Sequence, residues 1–189
     1  VSGIQMEAQA VIFTAGIGNE TALQLLRVPE QHTQRRPLRQ IMVRPMAEPL
    51  FGHGITGKPK PRVTITSHPL EGGGYVWYLG GNVAEESAHM SESEALLFAK
   101  KEMEAVFPHL SFAGKEWASL PVDRAEPFDA AGHLPPGPAV QQRGKILMAW
   151  PVKMTFVPLL SDRIFERLEK SGILPAAKSS PPDLPAAET

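Results

Sequence analysis

Apolar positions change period several times along the chain. "AVIFT" (10–14) is a short unbroken apolar run that stops at Ala15, Gly16 and Gly18, which predicts a strand buried on both faces and closed by a tight turn. Asn19 follows as a predicted helix cap, with a short apolar stripe from Thr21 to Leu26. Residues 39–44, 62–67 and 75–79 alternate or cluster β-branched and aromatic side chains between Pro and Gly breaks, and are predicted strands. "GHGITGKPKP" (52–61) reads as a loop between them. Ser91 and Glu94 then spell a capping box, ahead of a stripe at Leu96, Ala99, Met103 and Val106 that predicts an amphipathic helix. Residues 117–123 predict another strand, 128–138 a Pro and Gly loop, and 145–150 a last buried strand. Residues 158–170 predict a helix with Leu160, Ile164 and Leu168 on one face. From 171 to 189 the Pro, Ala and Ser content buries too little to offset ordering entropy, so this segment is expected to be a disordered tail.

Composition narrows the function classes. A chain of 189 residues with 42% hydrophobic content can bury one sizeable core or two small ones. The formal net charge is -1, from 19 basic and 20 acidic residues, which gives no electrostatic footprint for nucleic acid or an anionic membrane. Cysteine is absent, excluding disulfides, thiolate nucleophiles and cysteine metal sites. The six histidines, at 32, 53, 68, 89, 109 and 133, lack metal-ligand spacing, and no metal site is expected. There is no Gly-x-Ser-x-Gly elbow on which to build a serine hydrolase. No apolar run approaches the roughly 20 residues needed to span a bilayer, so no membrane span and a cytoplasmic setting are the expectation. The opening on Val1 reads like the second half of a unit, and a fragment is expected.

Two places bring a strand end against a helix start. At Ala15 to Asn19 a glycine turn permits close backbone approach to a ligand and offers helix N–H groups to an anion, although the same residues also mark ordinary bends. At 146–170 the chain passes from an apolar run through Pro151, Val152, Lys153, Met154 and Thr155 directly into a helical pattern.

Several segments carry a family likeness. "AQAVIFTAGIGN", "GYVWYLGGNVAEESAHMSESEALLFAKKEMEAVFPHL", "ASLPVDRAEPFDAAGHLPPGP" and "KILMAWPVKMTFVPLLSDRIFERLE" resemble, in this order, the C-terminal half of FAD-dependent oxidoreductases of the D-amino-acid oxidase and glycerol-3-phosphate dehydrogenase type. The resemblance covers residues 1 to about 170. It implies a mixed α/β chain (α+β in part): a partial Rossmann-like FAD-binding domain at 1–36, an inserted mixed-sheet substrate domain at 37–138, and a returning FAD-binding strand and helix at 139–170. It further implies oxidation of a small amine, amino acid or hydroxy acid. Ala15, Gly16 and the turn Trp150, Pro151, Val152, Lys153, Met154 and Thr155 become cofactor-binding candidates, with the Met154 and Thr155 N–H groups and the Lys153 charge at the pyrimidine end of the flavin. Arg124 becomes the candidate for an anionic substrate group, since a guanidinium matches carboxylate or phosphate. The chain departs from the family in lacking an N-terminal Gly-x-Gly-x-x-Gly unit, and in placing Trp150, Pro151 and Lys153 where many relatives have glycines. Without that half, the expectation is weak FAD binding and no turnover.

Plainer readings stand beside each of these. Lys153 also reads as a solvated loop lysine, Trp150 as a core plug and Arg124 as the surface partner of Asp123 or Glu126, and Tyr78, which could offer a hydroxyl toward the site, also reads as a half-buried strand tyrosine. The rival at the level of the whole chain is a noncatalytic binding module with a flavoprotein-like fold.

Overall fold

A computed structural model of the chain describes residues 7–27, 33–57, 60–133 and 135–174. The chain divides into two compact units, Gln34–Ala125 on one side and Val1–Thr33 with Glu126–Thr189 on the other. Its strands and helices are mixed, with one sheet of five strands and one of three among the described residues.

In the first unit, strands β2 (Thr33–Met46), β3 (Gly52–Gly54), β4 (Val63–Pro69), β5 (Tyr75–Gly80) and β6 (Glu116–Pro127) order as β3-β4-β5-β2-β6. Antiparallel pairing sets Ile41 against Leu79, Val43 against Trp77 and Ile65 against Leu79. Because side chains alternate along a strand, these residues share one face. They meet Ala99 and Met103 of the helix Glu92–Val106 in a single core. That helix is numbered α3, after α1 (Gly18–Leu25) and α2 (Asn82–Glu86). Its capping box forms as expected: Ser91 Oγ accepts the Glu94 N–H, and the Glu94 carboxylate accepts the Ser91 N–H at 2.9 Å. The Ser91 hydroxyl, which donates to the Glu94 carboxylate at 2.6 Å, and then the Ser91 N–H hold the Glu94 carboxyl below its usual range.

Arg39 fixes how β2 meets the segment between α2 and α3. Its guanidinium donates to Ser87 O (3.2 Å), Met90 O (2.7 Å) and Ser119 Oγ (3.2 Å), so a half-buried charge is satisfied largely by backbone. The turn from β5 into α2 requires glycine at one position: Gly81 has φ +74°, and a Cβ there would lie 2.9 Å from Pro61 O. Two elements depart from the sequence reading. Part of the expected loop 52–61 pairs as β3 with Val63 to Ile65, and α2 follows Gly81 without a warning pattern. Both are too short for periodicity to register.

The second unit holds β1 (Val11–Phe13), β7 (Ala139–Arg143) and β8 (Ile146–Trp150) in the order β1-β8-β7. β1 runs parallel to β8, and β7 runs antiparallel to it. Helix α4 (Val157–Lys170) lays Leu160, Ile164 and Leu168 on Val140, Leu147 and Ala149, as its stripe predicts. β7 lies just beyond the predicted loop 128–138. The prediction for β1 needs correction. Val11 and Ile12 remain 43% and 39% exposed, because β1 is an edge strand covered along only one side among the described residues.

Residues 171–174, at the start of the expected tail, close the last helix. Gly172 has φ +74°, its N–H donates to Glu169 O, and Ile173 N–H donates to Leu168 O, which closes α4 in a left-handed cap. Residues 175–189 lie outside the described residues. Among those described, no helix is long and apolar enough to cross a membrane.

Candidate functional site

Parallel pairing brings the two predicted turns to the same end of one sheet. Val11, Ile12 and Phe13 sit opposite Ile146, Leu147 and Met148, so the chain leaves β1 and β8 side by side at their carboxyl ends. In open α/β sheets, ligands bind in this position.

Asn19 joins the two exits. It is fully buried; its Oδ1 accepts the Ala15 N–H at 2.9 Å, and its Nδ2 donates over a longer 3.5 Å to Ala149 O. The sequence reading makes Asn19 the cap of α1, but the cap position is Ile17 and Asn19 lies inside the first turn. A short amide with both a donor and an acceptor serves two backbone groups there, which a simple cap does not. Gly16 has φ +57° with open space around it, so the turn asks for its backbone freedom and no close approach fills it. The N–H groups of Gly18, Asn19 and Glu20 donate to Ala15, Gly16 and Ile17 carbonyls. The first turn therefore satisfies its own helix start, contrary to the expected open anion site.

The second turn behaves differently. Val152, β-branched, has φ +63°, and Lys153 N–H bonds back to Pro151 O at 2.7 Å, closing a tight three-residue turn. Such a conformation costs about 1–3 kcal/mol. Lys153 itself is extended and exposed, with Nζ 5.9 Å from the Phe156 ring centre. Met154 and Thr155 open a 3-10 turn into α4, and their N–H groups have no partner among the described residues. Met154 is 81% exposed. Pro158 sits in the first turn of α4, where the missing N–H costs nothing. Trp150, by contrast, is 1% exposed, and its Nε1 has no hydrogen-bond partner among the described residues.

The face of the five-stranded sheet away from its core carries a second feature. Met42, Arg44, Val76, Tyr78, Glu116 and Ala118 line most of a cleft of about 370 Å³. Arg44 Nε holds Glu116 Oε2 at 2.9 Å, and the Tyr78 ring lies 4.6 Å from that of His68. Tyr78 thus belongs to a cleft and not only to a strand surface. Arg124 lies elsewhere. At about 3.3 Å per strand residue it stands about 26 Å along β6 from Glu116. It is half-buried and engaged within the fold, while Asp123, its neighbour in the surface-pair reading, pairs with Arg35 at 3.4 Å.

Residues 52–57 spell Gly-His-Gly-Ile-Thr-Gly, but they begin on the edge strand β3 and the next described residues lead into β4, so among the described residues the strand–turn–helix context of a dinucleotide fingerprint is missing. Asp129 organises the loop after β6. Its Oδ1 accepts Ala131 N–H (2.8 Å) and His133 N–H (3.3 Å), and these bonds hold its carboxyl below the usual range. Among the described residues, no group of three metal-ligating side chains is assembled.

Over 187 residues, 98% of its length, the chain is 37% identical to a protein of Pseudomonas aeruginosa named a probable FAD-dependent oxidoreductase. It spans 48% of that relative, about half its length. A crystal structure of an FAD-dependent oxidoreductase from the same organism matches with a TM-score of 0.86 at 37% identity, over 97% of this chain and 51% of that one. These matches establish homology along the chain and its mixed α/β fold. No protein-family model matches.

Proposed function

We propose that this chain is the flavin-ring and substrate portion of an FAD-dependent oxidoreductase whose other portion corresponds to the remaining half of the Pseudomonas relative. The observation that carries this reading is the parallel pairing of β1 with β8, which sets the Ala15–Gly16 turn beside the Trp150–Thr155 turn at one sheet end. The donor set suits a flavin ring: the backbone N–H groups of Met154 and Thr155, without partners among the described residues, and the Lys153 ammonium close by. When bound, FAD supplies two-electron redox chemistry.

The chain's own residues bind and orient. The N–H groups of Met154 and Thr155, at a helix start, would hold the electron-rich pyrimidine end of the ring, and Lys153 would add positive charge there. Asn19 keeps the two turns in register. In this reading β1, α1, β8 and α4 are the Rossmann-like remnant, and the five-stranded sheet is the substrate domain. The substrate is a small amine, amino acid or hydroxy acid, as in the D-amino-acid oxidase type, and Arg124 takes its anionic group.

The test begins with the complete gene product. It is expected to copurify with or take up FAD, giving the visible flavin absorbance that small amines, amino acids or hydroxy acids bleach under anaerobic conditions. A protein that neither takes up FAD nor responds to these substrates overturns the proposal and favours the noncatalytic module. Arg124→Lys keeps the charge and loses the two-pronged donor. It is expected to raise KM about tenfold with kcat nearly unchanged. If KM responds to Arg44→Lys and not to Arg124→Lys, the anionic group belongs in the Tyr78 cleft.

A further inference from the structure

The cleft on the face of the five-stranded sheet away from its core combines an apolar wall with a matched pair of charges. Tyr78 of β5 pairs with Met42 of β2, and alternation along the two strands brings Val76 and Arg44 to the same face. Glu116 of the neighbouring β6 completes the lining, and every lining residue belongs to the unit Gln34–Ala125. The Tyr78 ring lies 4.6 Å from that of His68, and its hydroxyl has no protein partner among the described residues. At about 370 Å³ the cleft has the size and the largely apolar lining of a small-molecule site. Its ion pair leaves both partners open. Arg44 reaches Glu116 Oε2 through Nε at 2.9 Å, so the two Nη atoms and the second carboxylate oxygen have no protein partner among the described residues. A guanidinium fixed through Nε still presents its outer nitrogens as a fork for a carboxylate.

We propose that this cleft binds a free α-amino acid with an apolar side chain. The carboxylate of the ligand sits on the Nη fork of Arg44, its ammonium on the second oxygen of Glu116, and its side chain against Met42, Val76 and Tyr78. Charge balance selects this class. Arg44 and Glu116 are the charged residues of the lining, one of each sign, so a ligand with a single charge leaves the cleft unbalanced and a zwitterion does not. The site is additional to the substrate group assigned to Arg124, which stands about 26 Å away along β6, a span that no such ligand bridges. It also stands without the flavin, because none of its contacts involves the turns at the ends of β1 and β8.

The test irradiates the complete gene product with photo-leucine, an amino acid whose side chain carries a diazirine, and locates the label by mass spectrometry. Label is expected on β2 and β5 around Met42, Val76 and Tyr78, and excess L-leucine is expected to suppress it. Leucinamide, which lacks the carboxylate, isocaproate, which lacks the ammonium, and glycine, which lacks the side chain, are each expected to compete about tenfold more weakly than L-leucine. Arg44→Gln and Glu116→Gln are expected to lower the labelling about tenfold with Tm unchanged, since their side chains are 58% and 69% exposed and an exposed ion pair contributes little to the fold. Arg124→Lys is expected to leave the labelling in place. Competition by isocaproate equal to that by L-leucine overturns the zwitterion. Label confined to other strands, label that survives both Gln variants, or label lost in Arg124→Lys overturns the site. Each outcome is read with or without bound FAD, so failure of the flavin reading appears separately.

Discussion

Met154→Pro is expected to leave the fold intact and to weaken FAD binding about 10- to 100-fold. The substitution removes one backbone N–H and little else, because the site tolerates proline. Lys153, the preceding residue, has φ −135° and ψ 145°, the extended region that a following proline demands, and the 3-10 turn Met154–Phe156 has the φ that the proline ring fixes. The Met154 N–H has no protein acceptor among the described residues to lose. A hydrogen bond from such a donor to an electron-rich ring contributes about 1.5–3 kcal/mol when the acceptor carries charge. Met154→Ala is the control: the side chain is 81% exposed, so its removal changes FAD affinity little. The measurement is quenching of flavin fluorescence on titration, with circular dichroism to establish that both variants fold. Undiminished affinity in Met154→Pro would mean that this N–H faces water.

The largest effect on stability is expected from Asn19→Ala. Asn19 is buried completely; its loss strands the Ala15 N–H and takes one donor from Ala149 O. Leaving buried backbone groups without partners costs about 1–3 kcal/mol each, and the longer contact to Ala149 contributes at the lower end. A loss of about 2–3 kcal/mol lowers Tm by roughly 5–10 °C in a chain of this size. FAD affinity is expected to fall with it, since the same amide holds the exits of β1 and β8 together. Thermal unfolding of the two proteins checks the first effect, and flavin titration well below either Tm checks the second. An unchanged Tm would assign the two backbone groups other partners.

The elements that were legible in the sequence share a physical character. The capping box at Ser91 and Glu94, the stripe of α3 and the Leu160, Ile164 and Leu168 face of α4 are local devices, fixed by spacing within one or two helical turns. The strands β4, β5 and β8 announce themselves by runs of apolar and β-branched residues between breaks. The mixed α/β class follows from such segments taken together. The candidate turn 150–155 was also visible, because an apolar run that meets a helix start over six residues leaves a readable junction.

Only the tertiary structure decided the rest, because burial and pairing depend on residues far away in the chain. Val11 and Ile12 look like core in sequence and are exposed because β1 lies at a sheet edge. Asn19 reads as a cap, yet its partner Ala149 lies 130 positions away, and no local pattern encodes a bond of that span. The long-range pairing of β1 with β8 brings together two turns that look alike: the first spends its N–H groups on its own carbonyls, whereas in the second those of Met154 and Thr155 have no partner among the described residues. Composition named Trp150 as apolar, whereas whether its N–H finds an acceptor depends on every element that encloses it. Sequence determined the longer helices and strands, since spacing sets which side chains share a face, but not the short elements β3, α2 and β7. Tertiary packing determined which polar groups remain available to a ligand, since that is what remains after the fold has satisfied its own donors and acceptors.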